Sequence, residues 1–394
     1  MQANAPFKLP QPEAPALAHS ERVAAFLREQ IRAGGGSISF AEYMQAALYA
    51  PGLGYYSSGT RKFGEQGDFI TAPELSPLFS RVLAVQVSSV ISQTGSGSIL
   101  ELGAGSGVLA VDVMRRLAEL DSLPERYCML EVSPDLAERQ RSYIAAELPG
   151  EFSRFEWLDQ LPVAFDGVVV ANEVADALPV ERFTKSDAGI EQLRVAVADD
   201  GFAWLRAPAP PLLAEAVEQL ERYLGQAFEP GFTSEISLAL PAWIDDVCSC
   251  LARGFVFLFD YGVSRRELYA VDRTSGWLRC HYRHRVHDDP LILPGIQDLT
   301  TWVDFTAIAQ AASDAGMSVA GYVTQAHFLA GGGIDAELQA LADAPDSDRM
   351  DLLRQVKLLT LPDEMGENFK CMGLARGELA IPSGFAFGDR AHVL

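Results

Sequence analysis

The sequence predicts an α/β fold built around a doubly wound, largely parallel β-sheet. Between residues 98 and 172, short apolar runs alternate with amphipathic patterns, as in strand–helix–strand crossover units. Two apolar runs, "FDGVVVANE" at 165–173 and "GFVFLFDYG" at 254–262, end in polar residues. A glycine-rich turn, "GAGSG" at 103–107, joins the first of the strands to a helix. In that setting glycine lets the backbone approach a ligand closely.

The first 95 residues predict helices joined by loops. Ser20 is placed to cap a first helix, whose apolar residues recur at helical spacing as far as Gly34. Ser39 and Glu42 have the spacing of a capping box for a second helix. Ser76 precedes a proline at the start of a third helical pattern, which is a common helix opening.

The second half of the chain predicts two insertions in the sheet. The first covers about residues 180–252, with short β segments at 181–206 followed by two amphipathic helices. The second, 261–300, follows the fifth predicted strand of the sheet, lacks periodicity and predicts a long ordered insertion. A helix at 304–316 and a strand at 317–323 then return the chain to the sheet.

Charge, cysteines and hydropathy exclude several classes of protein. The formal net charge of −22 opposes a general nucleic-acid surface, so we expect no nucleic-acid partner. Five scattered cysteines without a CxxC pair indicate neither a disulfide framework nor zinc, and no metal is expected. No stretch approaches the roughly 20 apolar residues of a membrane span, and the first residues lack a leader pattern. These observations predict a cytoplasmic protein, and the oligomeric state stays open.

The glycine turn favours a ligand other than a dinucleotide. A dinucleotide fingerprint needs a third glycine at position 108, which is Val108. Glu101 precedes the turn, and Glu131 ends the next apolar strand, where a carboxylate is able to accept hydrogen bonds from both hydroxyls of a ribose. A purely structural interpretation stays open, in which the glycines tighten a corner and Glu131 is a surface acid.

The pattern of an acid, G-x-G-x-G and a second acid at the end of strand two resembles the class I S-adenosylmethionine-dependent methyltransferases. Longer blocks resemble the MidA family within that class, over about residues 20–376. The blocks are "YMQAALYAPGLGYY", "GDFITAPELSPLF", "ANEVADALPVERF", "LFDYG", "RCHYRHRVHDDPLILPGIQDLTTWVDF" and "MGENFKCMGLARG". The family commonly has two aromatic residues where this chain has Val174 and Ala175, which changes a pocket wall and leaves the substrate open.

The resemblance implies a Rossmann-like sheet, S-adenosyl-L-methionine as cofactor and S-adenosylhomocysteine as product. Residues 1–95 would then cover the active site, and 96–394 would form the methyltransferase domain with its insertions. Because the family includes the arginine methyltransferase of mitochondrial complex I assembly, it also implies a protein substrate methylated on arginine, with a respiratory complex subunit as one candidate. The expected cofactor contacts are Glu101, Gly103, Ala104, Gly105, Gly107, Glu131, Val132, Asn172, Gly67, Asp68 and Thr71.

The catalytic chemistry is expected at the end of the strand "DGVVV". Ligands of doubly wound sheets bind beyond the carboxyl ends of the strands, so Asn172 and Glu173 emerge beside the predicted cofactor. If the substrate is arginine, Glu173 is the first candidate to hold the guanidinium and Asp176 the second. The alternative is that Asn172 caps a turn and Asp176 is solvated.

A loop and two aromatic residues are further candidates. In the loop 67–71, Asp68 is placed to meet the methionine ammonium group, and Thr71 the carboxylate or the substrate. Tyr55 and Tyr56 are candidates for the wall of a substrate channel, or else they simply pack a loop. Asp260 either borders the pocket or caps the end of its strand.

The stretch "RCHYRHRVHDD" at 279–289 carries three histidines and three arginines. Steps of three residues do not bring the histidines onto one face, so a metal site is not favoured. We expect a structural or substrate-rim role in which Asp288, Asp289 and Asp298 pair with the arginines. Two other functions stay open for the whole chain, a small-molecule methyltransferase and a non-catalytic assembly factor that binds S-adenosylmethionine.

Overall fold

The computed structural model describes residues 9–58, 70–95, 97–199, 201–340 and 346–394. Gly67 and Asp68 lie outside these residues. The chain divides into two compact units. The accessory unit comprises residues 1–70, 178–238 and 271–301, and the core unit comprises 71–177, 239–270 and 302–394.

The α-helices alternate with strands in residues 77–158 and again in residues 201–282. The helices are α1 (Ala14–Ala33), α2 (Phe40–Tyr49), α3 (Ala72–Leu75), α4 (Pro77–Thr94), α5 (Val108–Glu119), α6 (Pro134–Glu147), α7 (Pro211–Leu224), α8 (Leu240–Cys250), α9 (Arg265–Leu268), α10 (Phe305–Asp314), α11 (Gln325–Gly331), α12 (Ile334–Ala340), α13 (Asp346–Thr360) and α14 (Met365–Asn368). The strands are β1 (Ser37–Ile38), β2 (Ser98–Leu102), β3 (Arg126–Leu130), β4 (Phe155–Leu158), β5 (Phe165–Asn172), β6 (Glu181–Ser186), β7 (Gly189–Ala198), β8 (Gly201–Pro208), β9 (Thr233–Ile236), β10 (Leu251–Val263), β11 (Arg279–Tyr282), β12 (Arg285–His287), β13 (Asp298–Thr300), β14 (Val303–Asp304), β15 (Ser318–Thr324) and β16 (Phe369–Arg376).

The core unit is organised by one mixed sheet with the strand order β15-β16-β10-β5-β2-β3-β4, in which the short β14 also pairs with β10. The strands β10, β5, β2, β3 and β4 are parallel to their neighbours, and β16 runs antiparallel between β15 and β10. From β2 the chain proceeds outward through β3 to β4, and then crosses to β5 on the other side of β2. The carboxyl ends of β2 and β5 therefore form the topological switch point, where ligands of such sheets bind.

Burial explains why these segments are strands. Every residue of β2 is buried, and the middle of β5 is a buried run of Val168, Val169 and Val170. Continuous apolar runs rich in β-branched residues are typical of parallel strands covered on both faces. The strands approach very closely at Gly167, where a Cβ atom would lie 2.1 Å from the carbonyl oxygen of Ser98. Glycine is required at that point of the register.

The accessory unit contains two antiparallel sheets. In the larger one, β6, β8 and β1 all pair with β7, and β9 pairs with β6. The smaller sheet has the order β12-β11-β13 and is formed by the predicted insertion at 261–300. The apolar core of the accessory unit includes Val23, Leu27, Phe40, Tyr43, Val180, Val195, Leu278 and Leu299.

Several local predictions are confirmed and one is wrong. The capping box of α2 is present, with Ser39 accepting from the backbone of Glu42 and donating to its side chain. Ser76 caps α4 as predicted. Ser20 is not a cap: α1 begins six residues earlier at Ala14, because a proline is tolerated in the first turn and the alanine-rich segment favours a helix. The five cysteines are free and buried, as expected for small core residues.

Candidate active site

The glycine turn connects β2 to α5 with three left-handed glycines. The φ angles are +64° at Gly103, +54° at Gly105 and +86° at Gly107, the last of which is the residue before α5. The backbone N–H of Gly103 donates to the carbonyl oxygen of Leu130 at 3.0 Å, which ties the turn to the end of β3. Non-glycine residues are strained in this region, so the sequence of the turn follows from its backbone path. Ala104 is buried within it.

Glu131 follows β3 and is held by two hydrogen bonds. Its Oε1 accepts from the backbone N–H of Ser133 at 2.9 Å, and its Oε2 accepts from the side chain of Gln140 at 3.0 Å. The next residue, Val132, is 71% exposed. An oriented carboxylate beside an exposed apolar side chain is chemically suited to a nucleoside, whose ribose donates hydrogen bonds and whose base is flat and apolar on its faces.

Glu101 lies within the buried strand β2. Its Oε2 accepts a hydrogen bond of 2.7 Å from the hydroxyl group of Tyr127 on β3. Removal from water raises the pKa of this carboxyl to about 7, although the tyrosine hydrogen bond acts in the opposite direction. The observed partner is thus a core tyrosine, and a direct contact with the cofactor stays a prediction.

At the carboxyl end of β5, Glu173 has an unusual backbone conformation. Its φ angle is +53°, in the left-handed region that glutamate rarely adopts. Its backbone N–H donates to Phe259 of β10 at 2.8 Å, which holds the residue in place. The side chain of Asn172 donates to Glu173 Oε1 at 3.3 Å, and the backbone of Ala72 also hydrogen-bonds the carboxyl.

Partial burial and neighbouring charge make the half-buried Glu173 a weak acid. Loss of hydration and the nearby Asp176 raise its pKa to about 8. Asp176 is buried at 4% exposure, and removal from water raises its pKa to about 6. This excludes the interpretation of Asp176 as a solvated acid. Its carboxyl group is hydrogen-bonded by the side chain of Tyr261 and the backbone of Ala177, whereas its Oδ1 has no hydrogen-bond partner among the residues that the structure describes.

Asp260 caps the turn that follows β5. Its Oδ2 accepts from the backbone N–H groups of Ala175 at 2.9 Å and Asp176 at 3.2 Å, and its Oδ1 accepts from that of Tyr261 at 2.9 Å. Burial and the carboxyls of Asp176 and Glu173 raise its pKa. Of the two alternatives that the sequence leaves open, the geometry shows the strand-end cap, and contact of Asp260 with the substrate stays a prediction.

The two strand ends of the switch point pack directly on each other. A Cβ atom at Gly103 would lie 3.2 Å from Cγ2 of Val174. Thr71 precedes α3, whose first residue is the Ala72 that hydrogen-bonds Glu173. The structure therefore brings together the glycine turn, Thr71 and Glu173.

The two tyrosines predicted as a channel wall lie in the accessory unit. Tyr55 is 1% exposed and its ring packs edge-on against Tyr56, with centroids 5.1 Å apart. The hydroxyl group of Tyr56 donates to Asp298 at 3.0 Å. Tyr55 therefore packs its own loop, and a substrate contact of either tyrosine stays a prediction.

The arginine- and histidine-rich stretch forms the β11–β12 hairpin. Its turn residues Arg283 and His284 have φ angles of +47° and +57°. Arg283 pairs with Glu13 at 3.0 Å, and burial lowers the pKa of His281 to about 4. Among the described residues, no group of three or more histidine, cysteine, aspartate or glutamate side chains is placed to hold a metal ion.

Comparison with known families decides the class of the protein. Residues 82–323 match the model of a family described as S-adenosyl-L-methionine-dependent methyltransferase. The chain belongs to this family. The matched residues run from α4 to β15 and include the glycine turn and Glu173. The sequence-based resemblance to the MidA family and its Rossmann-like fold is therefore confirmed.

Relatives and solved structures extend the similarity over nearly the whole chain. The relative from Drosophila melanogaster named protein arginine methyltransferase NDUFAF7 homolog, mitochondrial, is 31% identical over 94% of this chain and 89% of its own length. The Homo sapiens protein arginine methyltransferase NDUFAF7, mitochondrial, is 30% identical, over 86% and 80% of the two chains. A COG1565 superfamily member from Burkholderia thailandensis, solved with S-adenosyl-homocysteine bound, is 41% identical with a TM-score of 0.92, over 98% of this chain and 100% of that chain.

This methyltransferase therefore uses S-adenosyl-L-methionine as its methyl donor, as predicted. The prediction of a cytoplasmic location is wrong, because the relatives are named as mitochondrial proteins. Targeting signals are recognised by receptors, so the composition and hydropathy of a chain do not by themselves predict its compartment. Among the described residues, no helix has both the length and the apolarity to cross a membrane.

Sequence reasoning missed several residues that hold the site. Tyr127 bonds Glu101, Gln140 bonds Glu131, and the indole N–H of Trp157 donates to the Gln140 side chain at 3.0 Å. Of these three residues, only Gln140 could have been found from the local sequence, because it lies on the same helical face as the buried Leu136 and Ile144. A polar residue on an apolar helical face needs a buried partner, but the pattern does not say which one.

Proposed function

We propose that this enzyme methylates arginine side chains of a protein substrate, and that Glu173 and Asp176 hold the guanidinium group. The observation that carries the proposal is the pair of carboxyl groups at the end of β5. Both have raised pKa values, and Asp176 Oδ1 has no hydrogen-bond partner among the described residues. A buried acceptor without a partner is costly, which indicates a ligand donor at that point.

The chemistry of arginine explains why carboxylates are needed. A guanidinium group is cationic at any physiological pH and presents planar donors that match carboxylate oxygens. Hydrogen bonds from two of its nitrogens to Glu173 and Asp176 would orient the third toward the methyl group. In-line transfer needs mainly this alignment.

The proton and electron balance is simple. The bound cofactor supplies a methyl group on a positively charged sulfur. The N–C bond forms as the S–C bond breaks, and the bonding pair returns to sulfur. The attacking nitrogen loses a proton, which a carboxylate accepts; Glu173, with a pKa of about 8, holds a proton far better near neutral pH than an ordinary glutamate.

The cofactor would be held at the switch point by the glycine turn and Glu131. We assign the ribose to Glu131, the adenine face to Val132 and the methionine part to the turn 103–107, Asn172 and Thr71. Support comes from the left-handed turn, the oriented carboxylate and the exposed valine. The cofactor contacts of Gly67 and Asp68, and the covering of the active site by residues 1–95, stay predictions.

The names of the relatives support a protein substrate. Proteins that share about 30% identity over most of this chain are named protein arginine methyltransferases. The altered pair Val174 and Ala175 lies directly after Glu173, so it would shape the wall beside the guanidinium. A respiratory complex subunit as the target stays a prediction.

Transfer of isotopically labelled methyl groups tests the proposal. Purified protein is incubated with labelled S-adenosylmethionine and an extract of the source cell, and label is mapped by mass spectrometry. We expect label on arginine with the wild type and none with Glu173→Gln. Glu138→Gln, which changes an exposed acid on α6, is the matched control and should label normally.

Two outcomes would contradict the proposal. Label confined to small metabolites would identify a small-molecule methyltransferase. Tight binding of S-adenosylhomocysteine without any transfer would identify an assembly factor that binds the cofactor without catalysis.

A further inference from the structure

We infer that Gln140 is a positioning residue that fixes the cofactor site by joining the glycine turn to Glu131. The inference rests on the proposed cofactor role of those two elements. Gln140 lies in the middle of α6 and is fully buried.

One amide group makes three hydrogen bonds to three different parts of the sheet. Its Nε2 donates to the carbonyl oxygen of Gly105 at 2.9 Å and to Glu131 Oε2 at 3.0 Å. Its Oε1 accepts from the indole N–H of Trp157 at 3.0 Å. Because an indole is only a donor, Trp157 fixes which end of the amide carries oxygen, and the two N–H groups must then face Gly105 and Glu131.

The three partners come from successive crossover units. Gly105 follows β2, Glu131 follows β3 and Trp157 lies in β4, so the amide connects the ends of three parallel strands. The α6 face that carries Gln140 is otherwise apolar, with Leu136 and Ile144 buried beside it. A buried amide on such a face is tolerated only when its hydrogen bonds are made.

The hydrogen bonds of Gln140 should affect the binding of the cofactor more than the methyl-transfer step. Glu131 is oriented from one side by the backbone of Ser133 and from the other by Gln140. With both hydrogen bonds made, the Glu131 carboxylate is already oriented before the ligand binds. Binding then costs little conformational entropy at this residue. Without Gln140, the hydrogen bonds that join the Glu131 carboxylate to the glycine turn are lost, and the position of each is less well fixed. The affinity for adenosine-containing ligands should fall, whereas the rate at saturating cofactor should not.

Two substitutions separate this role from simple packing. Gln140→Met keeps the volume and removes all three hydrogen bonds. Gln140→Glu keeps the shape and the acceptor for Trp157, but loses both donors and places a second carboxylate against Glu131. We expect S-adenosylhomocysteine to bind about tenfold more weakly to either variant, a difference of about 1.4 kcal/mol. The KM for S-adenosylmethionine should rise in parallel, with kcat changed less than about twofold.

A double-mutant cycle with Glu131→Gln tests whether Gln140 acts through Glu131. Calorimetric titration of S-adenosylhomocysteine into the two single variants and the double variant gives the coupling. We expect the Gln140 substitution to weaken binding less in the Glu131→Gln background than in the wild type, because the carboxylate that Gln140 orients is already gone and only its bond to Gly105 remains to be lost.

The outcomes that overturn the inference differ from those that overturn the proposed function. Unchanged affinity in folded Gln140→Met and Gln140→Glu would overturn the inference, as would additive effects in the cycle. If Gln140→Met does not fold, Trp157→Phe takes its place, since it releases only the amide oxygen; a two- to threefold loss of affinity is then expected and no loss overturns the inference. A different result would contradict the proposed function: wild-type protein that binds S-adenosylhomocysteine normally but does not methylate arginine.

Discussion

The Oδ2 atom of Asp260 lies 2.9 Å from the backbone nitrogen of Ala175, so a carboxyl group at the end of β10 caps the turn that leaves β5. The same oxygen accepts from Asp176, and the backbone of Glu173 donates to Phe259. The turn that carries the candidate catalytic acid is thus held from the neighbouring strand. This explains how Glu173 keeps a left-handed backbone that its residue type disfavours.

Removing the cap should loosen this turn. In Asp260→Ala, three backbone N–H groups lose their acceptor, and part of this cost is offset because a buried carboxyl group is removed. We expect the free energy of unfolding to fall by about 2–4 kcal/mol. The value of kcat should fall by more than the affinity for S-adenosylhomocysteine. Asp260→Asn keeps a carbonyl acceptor and should lose less stability and less activity than Asp260→Ala. Urea unfolding measures the stability, and calorimetry measures the binding of S-adenosylhomocysteine. Equal stability of Asp260→Ala and the wild type would contradict the assignment of Asp260 as the cap.

The backbone strain at Glu173 predicts that a glycine variant is more stable than an alanine variant. Glu173→Gly and Glu173→Ala both remove the carboxyl group, but only glycine adopts a φ of +53° without a steric penalty. We expect both variants to be inactive and the glycine variant to be about 1 kcal/mol more stable than the alanine variant. Thermal unfolding of the pair measures the difference. An alanine variant that equals or exceeds the glycine variant would show that the site is unstrained.

The raised pKa of Glu173 predicts the pH dependence of catalysis. If the carboxylate form binds the guanidinium, kcat/KM rises with pH and levels off above about pH 8, the pKa of the free enzyme. Arginine stays charged throughout this range, so the rise belongs to the enzyme. Glu74 is among the acids that raise this pKa, and Glu74→Gln should shift the midpoint to lower pH. An activity that is flat between pH 6 and 9 would contradict the role of Glu173.

The same group predicts how stability changes with pH. Between its ordinary value of 4.5 and about 8, Glu173 is protonated in the folded protein and ionised in the unfolded chain. The folded state then binds more protons, so its contribution to stability is present below pH 4.5 and is lost as pH rises toward 8. Glu173→Gln removes this slope. Urea midpoints of both proteins are measured at pH 5 and pH 8. If the midpoint changed by the same amount between the two pH values in Glu173→Gln and in the wild type, a protonated Glu173 in the folded protein would be contradicted.

Features encoded within a few residues were predictable from the sequence. The capping box of Ser39 and Glu42 needs a spacing of three residues and follows from helix geometry alone. The glycine turn between β2 and α5 was predictable for a similar reason, because its three left-handed φ angles require glycine at fixed positions. The parallel core followed from the alternation of strands and helices.

Features that depend on the register of distant strands were not predictable. Asp260 and Ala175 are 85 residues apart, and their contact exists only because β10 pairs with β5 in one register. Trp157 meets Gln140 through the pairing of β4 with β3. The left-handed conformation of Glu173 contradicts its local propensity, and such conflicts are expected where tertiary structure holds a functional group.

The contact between Gly103 and Val174 gives the sharpest test of the switch point. Gly103→Ala adds a methyl group at a φ of +64°, and the new Cβ would lie 3.2 Å from Cγ2 of Val174. Gly95→Ala introduces the same kind of strain at +66° but meets nothing within 4 Å, so it is the matched control. Both variants should lose about 1–2 kcal/mol of stability.

Only the substitution at the switch point should also affect the ligand. We expect Gly103→Ala to weaken S-adenosylhomocysteine binding at least tenfold, whereas Gly95→Ala binds as the wild type does. Val174→Ala removes the methyl group that the new Cβ meets and should restore part of the affinity in the double variant. If Gly95→Ala weakened binding as much as Gly103→Ala, the loss would reflect general destabilisation, and the turn would have no direct part in holding the cofactor.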